Sequence, residues 1–211
     1  MTNSATHATN KKAVYANLHA LCSVPINELN AAVAATYADD ARLFAFHPVN
    51  EHQGSAAIAD ALWRPIRESF PDIERRDQIV IAGEYDGNDY VCAMGQLQGT
   101  FSQDWYDIPA GHGVATLRYG EVHQIGDGLI TRSHVIIDVL DLMHQVGCWP
   151  ISPSLGAEGA WQSPATQDGV NLDSVDPETG AEALALCKKM HAGLLEFDGT
   201  LDSFNSAGEL R

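Results

Sequence analysis

The feature that most constrains this chain is a pair of strand-like runs, 114–125 and 129–137, joined by the turn Gly126-Asp127-Gly128. The runs have a period of two, and glycine and aspartate at their junction are typical of a tight hairpin. Two more runs of the same kind, 77–85 and 89–102, precede them around a second glycine-containing turn. The sequence therefore predicts a meander of four long strands.

Helical patterns come before the strands. Apolar residues recur at helical spacing in 11–22, 28–37 and 55–70. Pro65 lies inside the third pattern and should kink that helix after Trp63, because proline donates no amide hydrogen. Helices followed by a strand meander indicate an α+β fold, in which a curved antiparallel sheet packs on N-terminal helices.

Composition excludes several classes of partner. The formal charge of −16 over 211 residues disfavours nucleic acid and anionic membranes, which would repel this surface. The opening is polar, and no apolar run approaches the roughly 20 residues that span a bilayer. Four cysteines lie far apart without a C-x-x-C pair, which is typical of reduced thiols. We therefore expect a cytoplasmic protein with neither nucleic acid nor membrane as partner.

The character of the chain changes after Gly147. Residues 148–180 are rich in proline and glycine and have no period, which predicts an irregular arm. Residues 181–211 begin with a second helical pattern that loosely echoes the first helices. This tail could start an incomplete second copy, or it could be a C-terminal helix that packs on the same domain or across a dimer. The main domain is predicted over 11–147.

Four segments carry a resemblance to a known family. They are HPVNEHQG, WRPIRESFPDIE, IPAGHGVATLRYGE and GDGLITRSHVIIDVLDLMHQVG. Over 11–147 the chain resembles the SnoaL-like polyketide cyclase family of the NTF2-like (cystatin-like) superfamily. That resemblance implies a cone-shaped half-barrel around a deep apolar pocket. It also implies ring closure by aldol condensation without metal or organic cofactor.

The resemblance places the family's acid/base at Asp138, which ends the last strand. Strand alternation puts Arg132, His134, Ile136 and Asp138 on one face. If that face lines the pocket, Asp138 could remove a proton next to a carbonyl, and His134 could hydrogen-bond the developing enolate oxygen. Alternatively, Asp138 caps the helical turn that follows it. The family often has Glu-His-Trp where this chain has Arg132-Ser133-His134, so substrate and mechanism stay open.

Further candidates follow from the same comparison. His47 is a third catalytic candidate, in a loop that lies at the pocket mouth in the resembling fold; its alternative role is to stabilise that loop. Candidates for substrate contact are His52, Trp63, Tyr90, Trp105 and Arg118. The aromatic residues could equally form the core, and Arg118 could pair with Glu121 at the rim.

No metal or other cofactor is expected. Glu121 and His123 share a strand face and, with His47, His134 and Asp138, could form a nitrogen and oxygen ligand set. No H-x-E-H or H-E-x-x-H spacing supports such a set, and no nucleotide-binding or serine-hydrolase motif is present.

Two functional hypotheses remain. The first is a cyclase-like lyase or isomerase that acts on an apolar carbonyl compound by proton transfer. The second is a non-catalytic module that binds a small molecule or dimerises through the outer sheet face. In that second case, Val135 and Ile137 would lie between the subunits. A homodimer is expected in either case.

Overall fold

The computed structural model describes residues 4–152, 155–156 and 163–195. The helices are α1 (Ser4–Ser23), α2 (Leu29–Thr36), α3 (Ser55–Ile58), α4 (Arg64–Ser69), α5 (Val139–Gln145) and α6 (Ala181–Leu195). The strands are β1 (Tyr37–Ala45), β2 (Glu51–Gln53), β3 (Glu74–Tyr85), β4 (Asn88–Thr100), β5 (Val114–Gly126) and β6 (Leu129–Ile137). None of the described helices is long and apolar enough to cross a membrane.

The helices agree with their sequence patterns. α1 begins seven residues before the predicted start, and the pattern over 55–70 forms a helix that is broken in its middle. The break is a π-helical turn at Ala59–Trp63, immediately before α4. Pro65 lies at the beginning of α4, where a missing amide hydrogen costs little. The predicted irregularity at Trp63 is therefore confirmed.

The six strands form one sheet in the order β2-β1-β6-β5-β4-β3. β3 to β6 are antiparallel neighbours, as predicted. β1 pairs in parallel with β6, which the sequence pattern does not predict. The result is the expected α+β architecture, in which a curved, unclosed sheet packs on helices.

The two faces of the sheet differ in burial. On β6, Ser133, Val135 and Ile137 are buried, while His134 and Ile136 are exposed. The expectation that the His134 face lines the interior is therefore wrong, and so is the expectation that Val135 and Ile137 lie outside. Alternation separates the two sets correctly, but it does not tell which set meets the helices.

The core lies between the inner sheet face and helices α1 to α4. Its largest fully buried side chains include Trp105, Tyr37, Phe70, Phe101, Leu18 and Leu21. Phe70 stacks on Phe101 with ring centroids 4.7 Å apart. The interior of the cone is thus filled largely by the protein's own side chains.

The described part of the chain divides into two compact units: the first contains described residues from 5 to 173, and the second contains 174–195 with Ser4. In the first unit, the Gly169 carbonyl accepts from the Val80 amide at 2.8 Å, and the Lys11 ammonium donates to the Asp173 carbonyl at 2.9 Å. The arm therefore covers the edge of β3. In the second unit, α6 follows a short helical turn capped by Asp176. The second-copy hypothesis depends partly on 196–211, which lie outside the described residues.

Gly95 is the glycine on which close strand packing depends most clearly. A Cβ atom there would lie 2.2 Å from the Arg76 carbonyl oxygen and 2.8 Å from the Tyr119 hydroxyl. Neither the β3 backbone nor the buried Tyr119 ring can move far enough to relieve these overlaps. Gly95→Ala is therefore expected to lower the free energy of unfolding by about 1–3 kcal/mol or more, measured by urea denaturation.

Gly83→Ala is the matched control, since nothing lies within 4 Å of its added Cβ and it is also on a strand of this sheet. Its unfolding free energy should stay within about 0.5 kcal/mol of wild type. Equal effects of the two substitutions would contradict the close approach at Gly95.

Candidate functional site

A set of polar side chains lies on the inner face of the sheet, within the core. They come from three strands: Arg75 and Asp77 of β3, Tyr119, Glu121 and His123 of β5, and Ser133 of β6. Their spacing of two along each strand directs them to one face. Register brings them together, because β5 residues His123 and Tyr119 pair with Ser133 of β6 and Gly95 of β4.

Arg75 holds the two carboxylates of this set. Its guanidinium donates to Asp77 through Nη2 at 2.8 Å and Nε at 3.1 Å, and it also donates to Glu121. All three side chains are at most 5% exposed. The guanidinium lies 4.4 Å from the ring centroid of Tyr119, whose hydroxyl donates to Asp77 at 2.6 Å. We call Arg75, Asp77, Tyr119, Glu121, His123 and Ser133 the inner network.

His19 of α1 connects the inner network to the surface. Its Nε2 lies 2.8 Å from Asp77 Oδ2, and its side chain is 31% exposed. The inner network contains two carboxylates and one guanidinium, and His19 contacts one of those carboxylates. His19 also packs against the ring of Tyr15, 4.1 Å away between centroids.

His123 lies between a carboxylate and a hydroxyl. Nδ1 is 2.7 Å from Ser133 Oγ, and Nε2 is 3.2 Å from Glu121 Oε1, although the latter angle is poor for a hydrogen bond. In the tautomer whose proton is on Nε2, that N–H faces the ionised Glu121, which can only accept. In the neutral imidazole, Nδ1 then accepts from Ser133, which is the arrangement of a general base beside a hydroxyl.

Tyr37 adds a second hydroxyl to this end of the inner network. It is fully buried, and burial raises its pKa above the ordinary value. Its oxygen accepts from Trp63 Nε1 at 3.4 Å. The Trp63 indole donates to the Tyr37 oxygen and does not use the Tyr37 proton. Tyr37 can therefore donate that proton to Ser133 or to an oxygen of a ligand.

Opposing effects set the charge of Glu121. Burial alone would raise its pKa, but the opposing effects, led by the charge of Arg75, outweigh burial and lower the pKa to about 2. Burial likewise opposes the charge of Arg75, yet Glu121 and Asp77 raise its pKa. Both groups are therefore ionised at neutral pH, and His123 faces a permanent negative charge.

The catalytic residues predicted from the sequence lie elsewhere. Asp138 caps α5 by accepting from the Asp141 amide at 2.9 Å, and its carboxylate pairs with Arg118 at 2.7 Å. His134 is on the outer face, where it stacks on Phe44 with centroids 4.9 Å apart. The capping alternative describes Asp138, and the structure does not bring Asp138 and His134 together in the interior.

The remaining candidates divide between surface and core. His47 is exposed, and His52 Nε2 lies 2.9 Å from the Val49 carbonyl, so His52 stabilises its own loop. Tyr90 is on the outer face. Trp63 and Trp105 are buried inside. The expected Arg118–Glu121 pair is wrong, because these two residues lie three positions apart on a strand and therefore face opposite sides.

Sequence reasoning missed most of the inner network. It found that Glu121 and His123 share a face, which the structure confirms. The available signal was the spacing of two between polar residues, Arg75 and Asp77 on β3 and Glu121 and His123 on β5. Among the described residues, no group of three histidine, cysteine or acidic side chains is arranged to hold a metal ion.

The depressed pKa of Glu121 predicts an acid-sensitive contribution to stability. Since its pKa of about 2 in the folded protein lies below its ordinary value of 4.5, ionised Glu121 stabilises the fold above about pH 4.5, and this contribution is lost as the pH falls towards 2. Glu121→Gln cannot ionise. Urea denaturation should therefore show a less stable variant at pH 7 and a shallower pH dependence between pH 5 and 3.

Glu74→Gln is the control, because Glu74 is exposed on β3 and pairs with Arg76 at the surface. It should retain the wild-type pH dependence. Identical acid profiles for wild type and Glu121→Gln would contradict the ion pairing described for Glu121.

Three solved structures share the fold. A candidate SnoaL-like polyketide cyclase from Jannaschia sp. CCS1 is 17% identical, with a TM-score of 0.54 over 68% of this chain and 95% of that chain. TsrD from Streptomyces laurentii is 16% identical, with a TM-score of 0.54 over 66% and 96%. IdmH, a candidate polyketide cyclase from Streptomyces antibioticus, is 16% identical, with a TM-score of 0.51 over 65% and 98%.

No curated protein matches this chain significantly. The sequence profile of the SnoaL-like domain, however, matches residues 28–133, half of the chain, from just before α2 into β6. That span contains every residue of the inner network. The chain therefore belongs to the SnoaL-like domain family.

Proposed function

We propose that this protein is a cofactor-free enzyme that transfers protons on a small, largely apolar carbonyl compound, with His123 as its base. The observation that carries the proposal is the imidazole of His123, buried between ionised Glu121 and the hydroxyl of Ser133. Membership of the SnoaL-like family and the candidate polyketide cyclases among its structural neighbours support the reaction class.

Each group has a role that follows from its partners. Glu121 orients the imidazole and stabilises the positive charge that forms when His123 takes a proton. Ser133 either passes the proton from the ligand to Nδ1 or is displaced by the ligand. Tyr37 can donate to the oxygen of the developing enolate, since its own oxygen already accepts from Trp63.

The surroundings favour apolar ligands. His123 and Ser133 have no exposed surface, and Leu43 of β1 and Val91 of β4 are their paired neighbours on the inner face. Water in such surroundings is scarce, which strengthens the interaction of His123 with Glu121. Because packed core side chains surround these groups, the proposal requires those side chains to move aside when a ligand binds, and binding should change the hydrogen-exchange protection of the core.

His123→Gln should therefore abolish catalysis while conserving the approximate shape of the side chain. Turnover would be followed by deuterium exchange at the carbon next to the carbonyl, with 1-tetralone and related cyclic ketones as substrates. We expect a fall of about 100-fold or more, as is usual for loss of a general base.

His134→Gln is the matched control, since His134 lies on the adjacent strand but on the outer face. It should retain wild-type exchange. Full activity of His123→Gln, or loss of activity in Asp138→Asn alone, would overturn the assignment to the inner network.

We also propose that the outer sheet face joins two copies of this chain. Ile81, Val122 and Ile136 are 57%, 37% and 70% exposed on this face. With Ile79, Cys92 and Met94 they line two adjoining grooves of about 440 and 330 Å³. A continuous apolar surface of this kind is uncommon on a monomer and is typical of an interface.

Ile136→Asp tests the dimer, because it places a charge in the middle of this surface. Light scattering should give a dimer for wild type and a monomer for the variant. Ile26→Asp is the control, since Ile26 is also exposed but lies in the turn before α2. A monomeric wild type, or a variant that remains dimeric, would contradict the proposal.

A further inference from the structure

A short segment of the arm, residues 169–173, runs along the edge of β3. Burial alternates within it: Val170 and Leu172 are partly buried and pack on the core, whereas Asn171 and Asp173 are exposed. In an extended chain, side chains two positions apart share a side, so the two apolar residues face inward together. We call residues 169–173 the strap.

Along β3, the strap lies between two direct contacts of α1 with the sheet. At one end, His19 Nε2 lies 2.8 Å from Asp77 Oδ2. At the other end, beyond the turn that joins β3 to β4, the Asn10 amide donates to Asp89 at 3.4 Å. Between these two contacts, the helix and the sheet edge are joined through the strap.

Few backbone bonds hold the strap in place. The Val80 amide of β3 donates to the Gly169 carbonyl at 2.8 Å, in an isolated bridge rather than a ladder. The Lys11 ammonium of α1 donates to the carbonyls of Asn171 and Asp173. A segment held in this way opens at a lower free energy than strands that are paired along their length. We therefore expect the strap to open while the sheet remains intact.

The register of the sheet leads from the strap to the inner network. Val170 pairs with Val80 of β3, Val80 with Ala93 of β4, and Ala93 with Glu121 of β5. Directly paired residues have their side chains on the same face, and Val80, Ala93 and Glu121 are buried on the inner one. Neighbouring strands are about 4.8 Å apart, so three steps place Glu121 about 14 Å from the strap.

Small side chains lie along this path. In the next row of the sheet, Ala82 of β3 pairs with Val91 of β4, and Val91 pairs with His123 of β5. Ala82 and Ala93 each extend a single methyl group from the inner face. When the apolar side chains of the strap move away, the inner face therefore has its lowest relief between the edge of β3 and the pair Glu121 and His123.

We infer that the strap is the gate through which an apolar ligand enters: it leaves the edge of β3, and the ligand passes over Ala82 and Ala93. The inference rests on the proposed function and adds the route to its site. It explains how groups without exposed surface meet a ligand while the strand ladders stay paired. The strap lies outside residues 28–133, so the gate is a feature of this chain beyond the matched domain.

Opening of the gate can be measured without a ligand. The Val80 amide reports the strap, and Arg75 Nε, which donates to Asp77 at 3.1 Å, reports access of water to the inner network. Gly169→Ala would place a Cβ atom 2.2 Å from the Gln78 carbonyl oxygen, so the closed strap cannot accommodate it. Hydrogen exchange of both groups, followed by NMR, should be about tenfold faster in the variant, as expected of an overpacked contact.

Gly180→Ala is the matched control, because nothing lies within 4 Å of its added Cβ. It should exchange as wild type does. The Val122 amide, on β5 between β4 and β6, separates gating from general instability and should keep its wild-type rate in Gly169→Ala. Equal acceleration at Val122 and Arg75 would overturn the inference, and so would an unchanged rate at Val80 or at Arg75.

A reversible lock tests the route and covers the case in which Gly169→Ala does not fold. Val80 and Val170 are bridge partners on segments about 4.8 Å apart, which is within the range for a disulfide. In the double variant Val80→Cys, Val170→Cys, oxidation should slow deuterium exchange of 1-tetralone about tenfold or more, because entry then requires paired strands to separate. Dithiothreitol should restore it, and wild type should respond to neither treatment.

Full turnover with the disulfide formed, as verified by mass spectrometry, would overturn the gate. The exchange of Arg75 Nε–H separates this failure from failure of the proposed function. If wild type does not turn over 1-tetralone but the lock slows Arg75 exchange, the proposed chemistry fails and the gate is retained. If the lock leaves Arg75 exchange unchanged, the gate fails whatever the turnover.

Discussion

The ion pairs of Arg75 with Asp77 and Glu121 are the interaction on which the interior of this protein depends. The three charged side chains are at most 5% exposed. They lie in a core of leucine and aromatic side chains. Removing one member of such a set leaves an uncompensated buried charge, which typically costs about 3–5 kcal/mol. The three charged groups therefore stabilise the core only when all of them are present. Their positions on β3 and β5 are held in register by the intervening β4.

That requirement explains several local features. β4 contributes a glycine where the inner network crosses it, and the Tyr119 hydroxyl passes over Gly95 to reach Asp77. An irregularity in the pairing of β3 at Gln78 keeps Asp77 and Val80 both on the inner side. Further along β5, Glu121 also places a negative charge 3.2 Å from Nε2 of His123. Structure and proposed chemistry thus share the same ion pairs.

The sequence predicted the architecture well and the positions of the candidate residues poorly, for a physical reason. Period-two and helical patterns report which residues share a face, and these found the strands, the broken helix and the shared face of Glu121 and His123. They do not report which face meets the helices. His134, which was expected to line the interior, therefore lies on the outer side of β6, and Asp138 caps α5.

The long-range contacts were out of reach for the same reason. Arg75 and Glu121 are 46 residues apart, and His19 and Asp77 are 58 apart. Only the register of three strands and the position of α1 bring them together. The parallel pairing of β1 with β6 has no local signature either, yet it places Leu43 next to Ser133 and so encloses the inner network on that side.

The protonation state of His123 tests the central claim most directly. Long-range ¹H–¹⁵N NMR spectra of the imidazole, assigned with His123→Gln, report each ring nitrogen separately. This account predicts that at neutral pH Nε2 bears a proton and Nδ1 does not, which leaves Nδ1 free to accept. A proton on Nδ1 would contradict the account. With Nδ1 alone protonated, the remaining lone pair is on Nε2 and faces Glu121 instead of Ser133; with both nitrogens protonated, no lone pair remains.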